Sequence, residues 1–532
     1  MSNAYVHWSV RGTKLFLLHP GVQMKYRLVS HSMFWKKPAR DQQTESPDRP
    51  TLKRVLWPVD LILMGIGAII GTGVFVLSGL AAGHHSGNAL PLSFIIAGIV
   101  CLFAALCYAE FSTMIPVAGS AYTYCYIALG EIWAWIIGWD LVLEYGLAIS
   151  AVAIGWSGYF VVLLGSAGIV LPDVIAHPYG QDGGIVNLPA IIIVLALTVL
   201  LVHGTTRSAQ TNALIVAIKI FVILLFIVLG AGAIQPAHWQ PFLPGAGWFG
   251  VFSGAAIVFF AFIGFDAVVT AAEETHEPQK SLPVGIIGSL VVCIILYVIV
   301  AVVLTGILPV AELGNPDAIS APIAYALDRI GYPWGAALVS VGAICGMTSV
   351  LLVMIFGQSR ILFAMSRDGL VPKLFSVISP VTHTPANGTF FVGVVTAVIA
   401  GFFPLATIAE LVNMGTLVAF AIVALGVIIL RYQQPGLARP FRCPWVPAIP
   451  LLCIGCCIIL IACLHVRSHK LFVIWLFIGI AVYFLYGVKN STNRQNGNAL
   501  QVGPIPCTIN PESPLPAIAE TGAPDVRAEV NR

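Results

Sequence analysis

Long apolar segments separated by short polar ones occupy most of this chain. A helix that crosses a bilayer needs about 20 mostly apolar residues, and a window of that length identifies twelve candidates. They lie at residues 58–82, 90–116, 132–164, 187–203, 210–233, 248–274, 283–308, 337–365, 388–404, 406–430, 449–465 and 470–488. A short Phe-Phe-Pro turn at 402–404 separates the ninth from the tenth. The pattern predicts an all-α polytopic membrane protein with 12 transmembrane helices.

The two ends of the chain do not follow this pattern. Residues 1–54 are mixed and then basic, and residues 491–532 are rich in Asn, Pro and Glu. We interpret 1–54 as an N-terminal tail, 55–490 as the transmembrane domain and 491–532 as a disordered C-terminal tail. Met33 opens a stretch that continues into the first apolar segment, so a misassigned start covering residues 1–32 is the alternative for the N-terminus.

The positive charges of the short loops predict the orientation. If the N-terminus is inside, only three loop cations fall outside, namely Arg329, Arg467 and Lys470. The inside loops then carry Arg207, Lys280, Arg360, Arg367, Lys373, Arg431, Arg439 and Arg442. Cytoplasmic loops of membrane proteins carry an excess of Lys and Arg. Both termini are therefore expected in the cytoplasm.

Composition agrees with a membrane protein and argues against other classes. The chain is 58% hydrophobic and 9% charged, where a soluble domain has about 25% charged residues, and its mean hydropathy is +0.93. A net charge of +3 without a basic face gives no reason to expect nucleic acid as a partner. Cys453 and Cys456 form a lone CxxC without a second pair, which does not make a zinc site. No cofactor or metal is expected.

Glycines interrupt the first apolar segment at mid-depth. Residues 65–79 read GIGAIIGTGVFVLSG, and glycine costs about 1 kcal/mol against alanine inside a helix. Non-helical backbone at this depth is tolerated where it is buried in protein or lines a cavity. The free N–H groups of an interrupted helix favour an anion, and its free carbonyls favour a cation. Close helix packing is the alternative explanation of these glycines.

A second interruption lies in the sixth segment. Gly264 and Asp266 break the apolar pattern of FFAFIGFDAVVTAAEE at 259–274. Transporters built from repeats interrupt corresponding helices in their two halves, and segments one and six each open a group of five. The pattern predicts a five-plus-five inverted repeat with broken helices 1 and 6, plus two extra helices.

Five sequence blocks carry a family resemblance over roughly residues 50–490. They are GAIIGTGVFV at 67–76, YAEFSTMIPVAGSAYTYCYIALGE at 108–131, GWDLVLEYGLA at 138–148, FFAFIGFDAVVTAAEETHEPQKSLPVGIIGSL at 259–290 and GQSRILFAMSRDGLVP at 357–372. The chain resembles the amino acid–polyamine–organocation superfamily of permeases and, within it, the cationic amino acid transporters. The resemblance implies a secondary active transporter that imports L-amino acids by proton symport with alternating access. Twelve helices rather than fourteen match bacterial relatives, which implies the bacterial inner membrane.

The resemblance also implies which residues hold the substrate. The carboxylate of the amino acid is expected at the amides of the first break, and its ammonium group at carbonyls of both breaks. The expected amides are those of Gly71, Thr72 and Gly73, and the expected carbonyls lie near Ile69, Phe260, Ala261 and Ile263.

Two buried charges are the other candidate site residues. Lys219 lies near the middle of the fifth segment, and an ionisable residue inside a membrane is a functional hypothesis by default. A lysine here resembles the group that replaces sodium in proton-coupled relatives, and a lysine permanently bound to the carbonyls of the first break is the alternative. Glu144 could receive a cationic substrate side chain or only hold helices together. Asp266 is interpreted as capping the second half-helix.

Two rival functions remain. An amino acid exchanger on the same fold would carry the same motifs. An intramembrane serine protease is suggested by Gly155-Trp156-Ser157-Gly158, a short GxSG match without an accompanying histidine motif. The sequence contains no HExxH or GxxxxGK[ST] motif, which argues against zinc proteolysis and ATP-driven pumping. The sequence leaves the oligomeric state open.

Overall fold

The computed structural model describes residues 8–10, 13–15, 56–114, 120–181, 183–203, 209–379 and 384–492. The regular secondary structure within these ranges is helical apart from an isolated bridge between Leu56 and Thr275 and one hairpin. In the hairpin, β1 (Trp8–Val10) pairs antiparallel with β2 (Thr13–Leu15). Most of the predicted N-terminal tail and the C-terminal tail from residue 493 onward lie outside the described residues, and their prediction is not tested.

Nineteen α-helical elements follow one another in the described part of the chain. They are α1 (Pro58–Ile69), α2 (Ser78–Ala81), α3 (Leu90–Met114), α4 (Ser120–Ala128), α5 (Glu131–Ser166), α6 (Asp173–Ala176), α7 (Leu188–Val202), α8 (Ala209–Ala231), α9 (Trp248–Val258), α10 (Pro278–Ile307), α11 (Val310–Leu313), α12 (Pro316–Ser320), α13 (Pro322–Arg329), α14 (Pro333–Arg367), α15 (Ala386–Phe402), α16 (Leu405–Gln433), α17 (Ala448–Ala462), α18 (Val466–Val482) and α19 (Val488–Asn490). Short π-helical stretches span Gly73–Leu77, Ala82–Ser86 and Tyr483–Gly487, and 3₁₀ stretches span Gly87–Ala89, Pro236–Trp239, Phe259–Phe262, Phe265–Glu274 and Lys373–Ser376.

The described helices are those of a multi-pass membrane protein. Eight helical stretches are long and apolar enough to cross a membrane, and four shorter apolar helices, α1, α7, α15 and α17, accompany them. The predicted all-α class is therefore confirmed, whereas the count of twelve spans stays a prediction. Two predicted spans, 58–82 and 248–274, are each divided in the structure. The predicted turn at 402–404 separates α15 from α16.

The first divided segment begins as a regular helix and stops at its glycines. Pro58 occupies the first position of α1, where its missing N–H costs nothing. Asp60 accepts a 2.9 Å hydrogen bond from the Trp57 N–H. After Ile69 the backbone becomes extended at Ile70, with φ −73° and ψ 104°, and the helix resumes at Gly73.

The second divided segment bends at another glycine. Helix α9 ends at Val258, a 3₁₀ turn follows, and Ile263 is extended. Gly264 then has φ +113°, a backbone conformation that glycine adopts without the steric cost other residues incur. The chain continues as 3₁₀ helix from Phe265 to Glu274.

Long helices surround the two divided segments. The 36-residue α5 packs along the 35-residue α14, α3 packs along α10, and α1 lies against α8, α10 and α14. The residues at both breaks are buried in this arrangement, because Ile70 is 0% exposed and Phe262 is 0% exposed. The irregular backbone is thus enclosed by protein at both breaks.

Candidate functional site

The two breaks cross each other at close range. A Cβ atom placed on Gly73 would overlap the Cα atom of Ala261, and one placed on Gly264 would lie 3.0 Å from the carbonyl oxygen of Ala68. The backbone of one break therefore packs directly against the backbone of the other. Only a residue without a side chain permits this approach at Gly73.

A small cavity opens beside the crossing. Its walls come from both breaks and from the facing sides of α5 and α14. The lining residues are Ala68, Ile69, Gly71, Thr72, Gly73, Ala148, Val152, Phe260, Ile263, Val350 and Met354. Among their side chains only that of Thr72 carries a hydroxyl, so the polar character of this cavity comes mainly from the backbone of the breaks.

The structure brings most of the predicted clamp residues together. Six of them line the cavity, namely Ile69, Gly71, Thr72, Gly73, Phe260 and Ile263. Ala261 lies behind this lining, against Gly73. Lys219 and Glu144 are buried but are not part of the cavity wall.

The cavity is lined by the end of α1, at Ile69, and by the start of the helical stretch that begins at Gly73. Helical structure resumes at Gly73, and the first amides of a helix have no intrahelical acceptor. On the carbonyl side, Ile69 O accepts a 3.1 Å hydrogen bond from the Tyr297 hydroxyl. Phe260 O accepts a 3.2 Å bond from the Ile263 N–H. A carbonyl oxygen has two lone pairs, so each retains capacity for a further donor.

Lys219 is bound to the first break. It is 0% exposed, and its Nζ donates a 2.6 Å hydrogen bond to the carbonyl oxygen of Gly67 in the last turn of α1. Gly346 of α14 makes room for its alkyl chain, because a Cβ atom there would lie 3.0 Å from Lys219 Cε. The ammonium group therefore lies where α8, α1 and α14 meet.

Glu144 belongs to a group of buried acids near the cavity. It is 3% exposed and precedes the lining residue Ala148 by four residues, which is about 6 Å along a helix. Its carboxyl group lies near the side chains of Thr416, Asp140 and Asp266. Asp266 Oδ2 also accepts a 3.1 Å hydrogen bond from the Tyr145 hydroxyl.

Sequence reasoning missed Tyr297 and Asn413, whose side chains donate hydrogen bonds to backbone carbonyls at the two breaks. Tyr297 of α10 donates to Ile69 O, and Asn413 of α16 donates to the carbonyls of Ala256 and Ile257 at the end of α9. Asn413 could have been found, because it is a polar residue inside an apolar segment, as Lys219 is. Tyr297 carries no such signal, since tyrosine is common in membrane helices.

Side chains that could bind a metal ion do not cluster in the described part of the chain. Among those residues no group of three or more His, Cys, Asp and Glu side chains is arranged to hold a metal ion. The candidate site is thus a backbone cavity with a lysine and a group of acids beside it.

Comparison with known proteins identifies the family. A family model described as amino acid permease matches residues 56–496. The branched-chain amino acid permease BcaP of Bacillus subtilis is 49% identical over 87% of this chain and 99% of its own. The methylthioribose transporter of the same organism is 47% identical over 86% of this chain and 99% of its own.

A plant relative matches over a shorter part of its own length. The vacuolar cationic amino acid transporter 4 of Arabidopsis thaliana is 40% identical over 72% of this chain and 64% of its own. The match to the family model covers both breaks, the cavity-lining residues and Lys219. This chain belongs to the amino acid permease family.

Proposed function

We propose that this protein is a secondary transporter that imports an L-α-amino acid with an apolar side chain by proton symport. The proposal includes twelve transmembrane helices in a permease domain at 55–490, cytoplasmic termini, and alternating access around the two breaks. Substrate would bind in the cavity, and Lys219 would carry the coupled proton.

The observation that carries the proposal is the crossing of two interrupted helices at one cavity. The amides of Gly71, Thr72 and Gly73 stand at the start of a half-helix, where the helix dipole favours an anion. The carbonyls of Ile69, Phe260 and Ile263, which also line the cavity, would favour a cation. An α-amino acid carries one group of each sign on adjacent atoms, so the main chain of the breaks suits it.

The cavity wall supports an apolar substrate side chain. Ala148 and Val152 of α5 face Val350 and Met354 of α14 across the site, and a buried cationic side chain needs a polar or charged partner. The name of the BcaP relative points to branched-chain amino acids. The plant relative is named for cationic ones and the methylthioribose transporter for an uncharged thio-sugar, so the test includes both of these classes.

Uptake into proteoliposomes tests the proposal. Vesicles containing the purified protein, with an imposed inward proton gradient, should concentrate L-leucine and release it when the gradient is collapsed. Unlabelled isoleucine and valine should compete well, and arginine and methylthioribose should compete weakly. Accumulation of methylthioribose without accumulation of leucine would contradict the proposal.

Glu144 provides a second readout of substrate class. A long cationic side chain could extend from the cavity by one helical turn to this carboxylate, and such an ion pair contributes on the order of 1–3 kcal/mol. Glu144→Gln should therefore weaken the residual competition by arginine about ten- to a hundredfold further, while leucine uptake falls much less. Equal loss for both amino acids would assign Glu144 a structural role.

An exchanger would behave differently in the same vesicles. Exchange requires amino acid on the inside, whereas symport requires only the proton gradient. Empty vesicles that accumulate leucine support symport, and uptake that appears only in vesicles preloaded with amino acid supports the exchanger.

A further inference from the structure

We propose that Asn413 is a positioning residue of the transport site, which holds the carbonyl end of α9 at the second break without taking part in proton transfer. This inference rests on the proposed function. It begins from two hydrogen bonds: Asn413 Nδ2 lies 2.7 Å from the carbonyl oxygen of Ala256 and 3.1 Å from that of Ile257.

The acceptors of these bonds are carbonyls at the end of α9, of which that of Ile257 also accepts from the Phe259 N–H. Ala256 and Ile257 lie in the last turn of α9, directly before the 3₁₀ turn that leads into the cavity. The last four carbonyls of a helix have no intrahelical donor. Since Phe260 and Ile263 line the cavity a few residues later, the side chain that holds this turn also sets the position of the substrate-facing backbone.

The amide group of Asn413 acts in the structure as a hydrogen-bond donor. Asn413 is 0% exposed, and its Oδ1 atom has no hydrogen-bond partner among the described residues. An unpartnered buried acceptor costs free energy. The two bonds from Nδ2 to the end of α9 are the contacts that offset this cost.

The arrangement matches that of Lys219 at the other break. A helix outside the divided segment supplies a buried nitrogen donor in each case: α8 supplies Lys219 to the carbonyl of Gly67, and α16 supplies Asn413 to those of Ala256 and Ile257. The two donors differ in one property, because an amide does not titrate and an ammonium group does. Loss of a proton can therefore release the first break but not the second.

This difference assigns unequal roles to the two breaks. The end of α1 changes its hydrogen bonding when Lys219 loses its proton, and the end of α9 keeps a constant shape that positions Phe260 and Ile263. Because the Asn413 amide does not titrate, the second break keeps its conformation while the first break changes its own.

Asn413→Asp and Asn413→Ala test this role together. At mildly alkaline pH the aspartate variant places a carboxylate against two carbonyl oxygens and should raise the KM for leucine about tenfold or more. At acidic pH the protonated carboxyl group donates a hydrogen again, and the KM relative to the natural protein should recover. The alanine variant supplies no donor and should show a raised KM at both pH values.

The alanine variant also controls for other groups that titrate nearby. Asp140 lies against Gly415 and Glu144 lies near Thr416, and Gly415 and Thr416 belong to the same helix as Asn413. Glu410, one turn earlier on that helix, contacts His465. These acids are unchanged in both variants, so only the aspartate at 413 can produce the difference in pH profile. Ser340→Ala is the matched structural control, because Ser340 is 1% exposed and, within the described ranges, bonds only Ala336 O of its own helix.

The outcomes separate this inference from the proposed function. If the natural protein does not accumulate leucine, the proposed function fails. If it does, and both Asn413 variants keep the natural KM, the positioning role is refuted. A lower maximal rate that follows the amount of folded protein, with KM unchanged at both pH values, would show that Asn413 is only structural and would also overturn the inference.

Discussion

At the scale of single residues, two neighbouring glycines at the first break have different reasons to be glycine. A Cβ atom on Gly73 would meet the backbone of Ala261, whereas one on Gly71 would lie 3.2 Å from a methyl group of Val350. Backbone at a helix crossing cannot move aside without disturbing the second break. A valine side chain can adjust by a few tenths of an ångström.

This contrast predicts a graded response to alanine. Gly73→Ala should abolish leucine uptake, because the two breaks can no longer approach, and Gly71→Ala should keep most of it. Gly71→Leu should abolish uptake as well, since the larger side chain fills the cavity. Uptake by each variant is compared at equal amounts of inserted protein, and near-normal transport by Gly73→Ala would contradict the crossing as a requirement.

Lys219 is expected to couple the proton gradient to transport. Lys219→Met removes the donor to Gly67 O and should lose accumulation driven by an imposed pH gradient. Lys219→Arg should lose it too, because arginine does not release its proton. Exchange of labelled for unlabelled leucine requires no net proton movement, so it reports whether a variant still binds and moves substrate. This exchange should persist in at least one of the two variants. Gradient-driven accumulation by Lys219→Met would place the coupling group elsewhere.

At the scale of elements, one carboxylate joins three parts of the chain away from the cavity. Glu110 in the last turn of α3 is 1% exposed and forms a 2.6 Å ion pair with Arg431 of α16. Its oxygens also contact Arg439, with Nε at 3.3 Å, and accept a 2.8 Å hydrogen bond from the N–H of Cys443. The segment between α16 and α17 is thereby attached to α3.

Removing this charge should destabilise the fold. Breaking a buried ion pair by removing one partner costs about 3–5 kcal/mol, so Glu110→Gln should clearly lower the melting temperature of the detergent-purified protein. Glu312→Gln is the control, because the Arg329–Glu312 pair has side chains 53% and 29% exposed and such pairs contribute about 0–1 kcal/mol. A larger effect at Glu312 than at Glu110 would contradict this assignment.

At the scale of the whole molecule, the proposed orientation places the loop after α5 outside and the loop after α16 inside. Val170 is 86% exposed in the first loop, and Gln434 is exposed in the second. In intact cells, a membrane-impermeant thiol reagent should label Val170→Cys above the level of the natural protein. Gln434→Cys should react only after the membrane is opened, and the reverse result would invert the topology.

Much of the architecture is readable from local sequence. Runs of apolar residues predict membrane helices because the bilayer imposes the same length and the same lack of hydrogen-bonding partners on every span. The all-α membrane class and the family are confirmed on this basis, and the breaks at 70–72 and 259–264 fall where the glycine-containing stretches predict them. Gly264 and the glycines of 65–79 can be recognised in the sequence as sites of helix interruption, because glycine is unfavourable inside a helix.

The contacts between distant segments could be read only from the folded chain. The close approach of Gly73 to Ala261 and the bonds from Asn413 to the end of α9 join residues more than a hundred positions apart. Hydropathy records how each residue interacts with lipid and water, and it holds no information about which side chain meets which carbonyl. The apolar segment around Lys219 predicts that this lysine is buried, but its bond to Gly67 O depends on how α8 packs on α1. The sequence alone is compatible with a Glu144 carboxylate that lines the cavity. The packing of α5 instead places Glu144 one helical turn from the cavity.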